Sequence, residues 1–257
     1  MFSKEERCIL SKNPLSEVVC QFNFPDILII GSTSPAQFQE AIRSEFPVYR
    51  CHAAKMLPKN IVPNQAVLQN QPVTNVHVFT AADNTWALHL GTNFLRLSCR
   101  NYRCWEDFAH ILDKPLAAFI RIYKPAHFTR VGLRYINFIS RKLLNLEGTP
   151  FSEMIMPCYL GPLMEEDVLE PTVSKCSVDV ELSLRGGCKA KIHAGPGLTK
   201  QGAKADPEVK FIFDQDLYML GNVPVNVSAG ALQTLHAQAY GIFRGAVTDL
   251  LFDAMNS

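Results

Sequence analysis

The sequence lacks both an apolar run long enough to cross a membrane and an excess of charge of one sign. Its most apolar stretch, residues 27–30, is far shorter than the roughly 20 residues that a membrane-spanning helix needs. The formal net charge is +1, which argues against a protein that wraps nucleic acid by bulk electrostatics. Residues 1–7 contain acidic residues and no apolar run after the basic ones, so no secretory leader is predicted. We therefore expect a cytoplasmic protein.

Paired cysteine motifs are missing as well. The eight cysteines are scattered without a C-x2-C pair, although structural zinc sites normally use such close pairs. The nearest approach to a ligand set is Cys176, Cys188 and His193, and the adjacent Cys51 and His52 are a second candidate. Cys188 falls in a predicted turn, away from His193. We expect reduced thiols, no metal and no cofactor.

No catalytic motif rises above background. The sequence has neither a nucleophile elbow nor the residue order of a phosphate-binding loop. Residues 193–204 are rich in glycine and lysine; we interpret them as a mobile connection between strands, with Lys200 and Lys204 as candidate binding residues. His193 is predicted opposite Glu181, which would suit an acid–base pair but more often stabilises a sheet. Whether the protein is an enzyme stays open, and the sequence favours one that is not.

Alternation of apolar and polar residues predicts antiparallel strands. Residues 17–24 and 128–139 alternate clearly, and three further strands follow residue 74. A two-residue turn at Thr92 and Asn93 places the apolar residues of two of these strands on one face. The same register sets His89 opposite Arg96.

The second half of the chain shows the same kind of alternation. Residues 178–184 and 189–194 are predicted to pair through a three-residue loop at residues 186–188. Another strand is predicted at residues 209–213. Residues 47–74 are rich in Pro, Asn and Gln and are predicted to be mostly irregular, with one short strand as an option.

Helical spacing appears at three places. Ser34 and Pro35 open a short amphipathic helix. Apolar residues between Trp105 and Tyr123 form a second stripe, which Pro115 is predicted to kink or divide. A third stripe begins at residue 228 and, if continuous, reaches residue 255.

The order of these elements predicts an α+β fold with two similar halves. Residues 1–125 and 126–257 each read as an antiparallel sheet with a short first helix and a long packing helix. We interpret this pattern as a diverged duplication. The order of strands before helix also excludes a doubly wound parallel sheet.

Charge is distributed unevenly along the chain. Residues 96–142 contain ten Lys and Arg against three acidic residues, whereas residues 143–183 contain eight acidic residues against one Lys. Arginine side chains on a sheet suit recognition of phosphate or carboxylate groups. The candidate binding residues on strands are His89, Arg96, Arg100, Arg130 and Arg134. The alternative is that these arginines pair with the acidic second half of the chain.

Three stretches together resemble a sporadically distributed, uncharacterised family of bacterial proteins of about this length. They are Asn13-Pro14-Leu15, the strand Arg130-Val-Gly-Leu-Arg-Tyr-Ile-Asn137, and the C-terminal segment with Phe243 and Thr248-Asp249. The chain departs from the family at Phe138, where a basic residue is usual. The resemblance implies a bacterial setting in defence or toxin control and implies no activity.

The leading functional hypothesis is a non-enzymatic binding or adaptor protein that presents its arginine-bearing sheet face to a protein partner. The alternative is a nucleic-acid-binding or RNA-processing protein that uses the same arginines and the loop at residues 195–204. Glycine-rich loops also mark RNA-binding proteins with two ferredoxin-like halves, a parallel at the level of the fold only. A third hypothesis is a small-ligand cavity beneath the long helices. No membrane association is expected, and the oligomeric state stays open.

Overall fold

A computed structural model describes residues 2–55, 73–201 and 204–257, and all strands within these ranges belong to one antiparallel sheet. The nine strands are β1 (Leu15–Asn23), β2 (Val48–Lys55), β3 (Val73–Thr80), β4 (Trp86–Gly91), β5 (Phe94–Cys99), β6 (Phe128–Ile139), β7 (Val178–Ser183), β8 (Cys188–Gln201) and β9 (Lys204–Val223). Their order across the sheet is β2-β3-β4-β5-β1-β6-β9-β8-β7. The predicted α+β class is therefore confirmed, but one continuous sheet replaces the two predicted sheets.

Helices occupy the chain between these strands and after the last of them. They are α1 (Leu28–Ser32), α2 (Ala36–Ile42), α3 (Trp105–Tyr123), α4 (Arg141–Leu144), α5 (Phe151–Met154), α6 (Ser228–Arg244) and α7 (Asp249–Asn256). Three short 3-10 turns lie in the connection between α5 and β7. No helix in the described ranges combines the length and apolarity that crossing a bilayer would require.

Strand alternation places the core on one face of the sheet. Val18, Cys20 and Phe22 of β1 are fully buried, and the intervening residues of β1 are only half-buried. The buried residues of the neighbouring strands join those of α3 and α6 in a single apolar cluster. The opposite face of the central strands carries polar and charged side chains, as expected for an antiparallel sheet that is packed on one side only.

The β4–β5 hairpin has the predicted register. The pairs across it are Trp86 with Cys99, Leu88 with Leu97, His89 with Arg96 and Leu90 with Leu95. A register shifted by one residue would move the buried leucines to the polar face, so the apolar pattern determines the pairing.

Two predictions about helices need correction. Of the two alternatives for Pro115, division of the helix is wrong, because α3 is one helix from Trp105 to Tyr123 and the proline is buried. Packing there offsets the hydrogen bond that proline cannot donate. The C-terminal helix is not continuous: α6 ends at Arg244, and the Thr248 hydroxyl accepts a hydrogen bond from Leu251 N at 3.4 Å as the N-cap of α7.

The predicted loop at residues 193–204 is also wrong where the structure describes it. Residues 195–201 continue β8 and pair with a long β9, up to the pair of Gln201 with Lys204. The turn before β8 is shifted by one residue, so its three-residue loop is Arg185–Gly187. Gly186 and Gly187 have φ of 69° and 73° there, a conformation that glycine adopts without strain.

The segment at residues 47–74, predicted to be mostly irregular with one short strand as an option, does begin with a strand. Residues 48–55 form β2, which pairs along its whole length with β3. Residues 56–72 lie outside the described residues.

Candidate binding sites on the two faces of the sheet

The polar face of the central strands forms a groove, which we call the arginine groove. It is lined by residues of β1, β5, β6, β9 and β8, together with Arg100, which directly follows β5. Four predicted binding residues lie here: Arg96, Arg100, Arg130 and Arg134. The sequence placed Arg96 and Arg100 on one face and Arg130 and Arg134 on one face of their own strand; the structure brings both pairs to the same groove.

Cross-strand register explains why distant parts of the sequence meet in this groove. Gln21 of β1 pairs with Arg96 on one side and with Gly132 of β6 on the other. Neighbouring strands lie about 4.8 Å apart, so Arg96 and Gly132 are two strand spacings apart. His89 extends the same row on the far side of Arg96.

The absence of a side chain at Gly132 leaves space that the Arg130 guanidinium occupies. A Cβ atom added to Gly132 would lie 2.0 Å from Arg130 Nη1 and 2.4 Å from its Cζ, so the guanidinium occupies the space that any other side chain would fill. Asp216 accepts a hydrogen bond from Arg130 Nη2 at 2.5 Å, and the guanidinium carbon lies 4.9 Å from the centre of the Tyr218 ring. These three contacts hold Arg130 in one orientation across the groove.

Arg134 is held by the same strand that holds Arg130. Its Nε donates to Asp214 Oδ1 at 2.7 Å, and its Nη2 contacts the other carboxylate oxygen. This two-point contact raises the pKa of the Arg134 guanidinium. About half of the Arg134 side chain stays exposed, whereas Arg130 is 22% exposed.

Two of the four arginines follow the alternative to binding, which was pairing with the acidic second half of the chain. Arg130 and Arg134 pair with Asp216 and Asp214 of β9, which lies in that half. Among the described residues, a carboxylate of the most acidic segment, residues 143–183, also pairs with an arginine: Glu170 contacts Arg141 at 2.5 Å. The arginine-bearing face thus stays open, and two of its four arginines, Arg130 and Arg134, form salt bridges with carboxylates of the same sheet.

Arg96 and His89 are held differently, because nothing in the described chain forms a salt bridge with either. Arg96 Nε and His89 Nδ1 are buried atoms without a hydrogen-bond partner among the described residues. Burial lowers the pKa of Arg96, against the opposing effect of Glu17. Burial also lowers the pKa of His89 to about 4, and Arg96 and His52 add to this effect, so His89 is neutral at pH 7.

The predicted residues Lys200 and Lys204 do not belong to the groove. They lie near the end of the β8–β9 hairpin, about 30 Å along the strand from Lys191, which does line the groove. Their side chains are outside the described residues. The sequence grouped them with the arginines because it could not show how far β8 and β9 extend.

The predicted pairing of His193 with Glu181 is wrong by two residues. His193 Nδ1 lies 2.8 Å from Asp179 Oδ1, and Glu181 contacts Lys191 at 2.6 Å. Cys188 is buried on the other face of β8 from His193, as the odd spacing requires. No cluster of three or more His, Cys, Asp or Glu residues within the described ranges has the geometry to hold a metal ion.

A second candidate site lies on the apolar side of the sheet. A cavity of about 80 Å³, which we call the helix-side chamber, is bordered by the centre of β6 and β9, by α6 and by residues 7–13. Most of its wall is apolar, with Leu10, Leu15 and Phe243 as examples. Its polar lining includes Tyr135, Gln215 and His236.

His236 connects the chamber wall to the sheet. Its Nδ1 lies 2.8 Å from the Tyr135 hydroxyl, and the ring of Trp105 stacks on it at 4.7 Å between ring centres. Burial lowers the pKa of His236 to about 4, with a further contribution from Arg7, so the ring is neutral at pH 7. His236 Nε2 and Gln215 Oε1 are both buried without a partner among the described residues.

Sequence reasoning missed the residues of this chamber. Gln215 lies between Phe213 and Leu217 at a position where strand alternation demands an apolar side chain, and Asn137 interrupts the apolar face of β6 in the same way. A polar residue at a buried strand position is the signal that could have identified the site. His236, in contrast, lies in a helix where the sequence pattern gave no signal that would identify it as part of a site.

Comparison with known proteins adds no further information. Neither a protein-family model nor a curated protein matches this sequence.

Proposed function

We propose that the chain is a non-enzymatic binding protein whose arginine groove receives a carboxylate-bearing segment of a protein partner. The observation that carries the proposal is the convergence of Arg96, Arg100, Arg130 and Arg134 on one open groove. Arginine recognises carboxylates through two parallel hydrogen bonds, and its planar side chain loses less freedom on binding than lysine does.

Arg96 and Arg100 are the groups best suited to contact the partner. In the described part of the chain neither forms a salt bridge, whereas Arg130 and Arg134 are already matched by Asp216 and Asp214. The Nε of Arg96 is buried without a partner among the described residues, so a carboxylate that reached it would remove an existing cost.

The mixed charge of the groove favours protein over nucleic acid. Glu17 and Asp216 line it together with the arginines, and Asp214 lies beside it. A phosphate backbone that crossed this surface would meet carboxylates at several positions, whereas nucleic-acid-binding surfaces present a run of unmatched positive charge. A protein segment with both signs of charge fits the pattern better.

A displayed random-peptide selection tests the proposal. We expect selection on the wild-type protein, with counter-selection on the Arg96→Glu variant, to enrich peptides rich in Asp and Glu. Fluorescence anisotropy with one enriched peptide should then show that Arg96→Glu weakens binding by about 2 kcal/mol or more, roughly thirtyfold. The matched control is Arg43→Glu, which reverses an exposed charge in the helix layer and should leave the affinity unchanged.

Short oligonucleotides provide the competing measurement. Salt-dependent binding of a 20-nucleotide single strand, abolished by Arg96→Glu, would replace the protein-partner proposal by the nucleic-acid alternative. Equal peptide binding by wild type and Arg96→Glu would reject the groove as a recognition surface. The bacterial defence or toxin-control setting depends on the family resemblance and remains a prediction.

We further propose that the two halves of the chain arose by duplication. The support is connectivity: β1 and β6 pair with each other at the centre, β5, β4 and β3 follow outward from β1, and β9, β8 and β7 follow outward from β6. Superposition of these two four-strand sets tests the idea, and a rotation that fails to align their strand directions would reject it.

A further inference from the structure

We propose that the helix-side chamber binds a small uncharged molecule with an apolar body and a hydroxyl group, and that residues 2–13, the N-terminal arm, control access to it. This inference is independent of the arginine groove, which lies on the other face of the sheet. Gln215 and Asp216 illustrate the separation, because successive residues of β9 point to opposite faces.

The mostly apolar wall of the chamber contains two buried polar side-chain atoms that have no partner among the described residues. Gln215 is 2% exposed and His236 is 7% exposed, and the unpartnered Gln215 Oε1 and His236 Nε2 belong to side chains that line the same cavity. Buried polar atoms are rarely left without a partner, because each costs free energy. A ligand with one polar group would satisfy both atoms at once.

The hydrogen-bonding capacity of the two atoms defines the ligand's polar group. Gln215 Oε1 accepts a hydrogen bond. His236 Nε2 donates one when the Tyr135 hydroxyl donates to Nδ1. A hydroxyl group is the simplest group that donates to the first atom and accepts from the second.

The charges near the chamber favour a ligand without charge. Arg7 pairs with Glu106, and Arg103 donates to Asp107 at 2.7 Å, so both arginines on the rim are already matched. A carboxylate ligand would have to compete with these partners. The apolar part of the wall, in contrast, favours a hydrocarbon or aromatic body.

The arm forms the cover of the chamber. Ser3 N donates to Gly241 O at 2.9 Å, the Tyr240 hydroxyl donates to Glu6 O at 2.9 Å, and Lys12 N donates to Met255 O at 2.8 Å. Arg244 also contacts Glu5 at 2.7 Å. A cavity of about 80 Å³ is smaller than the roughly 150 Å³ known to hold benzene, so an aromatic ligand requires the arm to shift.

Gly241 allows this cover to lie close to α6. A Cβ atom there would be 3.0 Å from Ser3 O, which is tighter than ordinary contact. Gly241→Ala should therefore loosen the arm and speed ligand entry. Gly230→Ala is the matched control in the same helix, because a Cβ atom at Gly230 meets nothing within 4 Å.

Phenol and benzene are the probes, because they differ only in the hydroxyl group. Trp105 stacks on His236 and reports occupancy by fluorescence when Trp86, the other tryptophan, is replaced by Phe. We expect saturable quenching by phenol with an affinity roughly tenfold above that for benzene. In Gln215→Leu the affinities for phenol and benzene should become about equal, since this variant lacks the Oε1 acceptor of Gln215.

A second pair of variants keeps the test decisive if Gln215→Leu fails to fold. Ala239 lines the chamber, so Ala239→Leu should abolish phenol binding, whereas Ala237→Leu, at an exposed position outside the chamber in the same helix, should not. Absence of saturable quenching by either probe would overturn the proposal. Equal affinity for phenol and benzene in the wild type would also overturn it. Unchanged entry rates in Gly241→Ala would reject the role of the arm.

Discussion

The two faces of the central sheet hold their polar groups in different ways. On the groove side, Arg130 and Arg134 are oriented by carboxylates of the neighbouring strand and stay accessible. On the chamber side, polar side chains are few, deeply buried and only partly hydrogen-bonded, with Gln215 and His236 as the main examples. One run of residues thus serves two environments, because successive side chains of a strand point to opposite faces of the sheet.

A pair of adjacent substitutions in β6 gives the largest expected contrast between the faces. Leu133 is fully buried, so Leu133→Ala should lower the free energy of unfolding by about 2–5 kcal/mol through lost burial and a residual cavity. Arg134→Ala, one residue further on the exposed face, should cost about 1 kcal/mol or less. Urea unfolding of both variants provides the measurement. Similar costs at the two positions would contradict the assignment of faces.

Acid titration should show a smaller effect that involves both faces. The pKa of His89 and of His236 is lowered to about 4 by burial, whereas histidine in an unfolded chain titrates near 6.5. Between these pH values the unfolded chain binds protons that the folded chain does not. Stability should therefore fall as the pH decreases from 6.5 to 4, by up to roughly 1.4 kcal/mol per pH unit for each histidine.

Single substitutions separate the two contributions to this acid effect. Arg96 and His52 oppose protonation of His89, whereas at His236 Arg7 opposes it and Glu106 favours it. Thermal unfolding of His89→Gln and His236→Gln at several pH values should show a shallower decline in each variant. A decline as steep as that of the wild type in both variants would show that other groups cause it.

The smallest effect on stability is expected for a substitution in the arginine groove. Gly132→Ala places a methyl group where the Arg130 guanidinium lies, and this flexible group can swing away at little cost. We expect a change of about 1 kcal/mol or less in the free energy of unfolding. The Arg130 side-chain signals in ¹⁵N-resolved NMR spectra should shift, because the contacts with Asp216 and Tyr218 are lost. The same signals should stay unchanged in Gly230→Ala.

Local pattern was sufficient for some elements of the fold. The β4–β5 hairpin could be predicted to the residue, because its turn is short and only one register keeps Leu88 and Leu97 on the same face. The predicted β7–β8 register, in contrast, was wrong by two residues. A shift of two residues keeps the same side chains buried, so alternation alone cannot choose between two registers that differ by two.

Alternation in the sequence was enough to predict which side chains of β1, β4, β5 and β6 face the core and which face outward, because that choice depends only on a period of two residues. The sequence also indicated that strands outnumber long helices and that arginines such as Arg96 and Arg130 lie on outward positions. That β1 lies between β5 and β6, which brings these two arginines into one groove, became known only from the fold. The fold likewise placed Gln215 and His236 around one chamber. Such meetings depend on contacts between residues far apart in the chain, and many strand orders would bury the same apolar faces equally well.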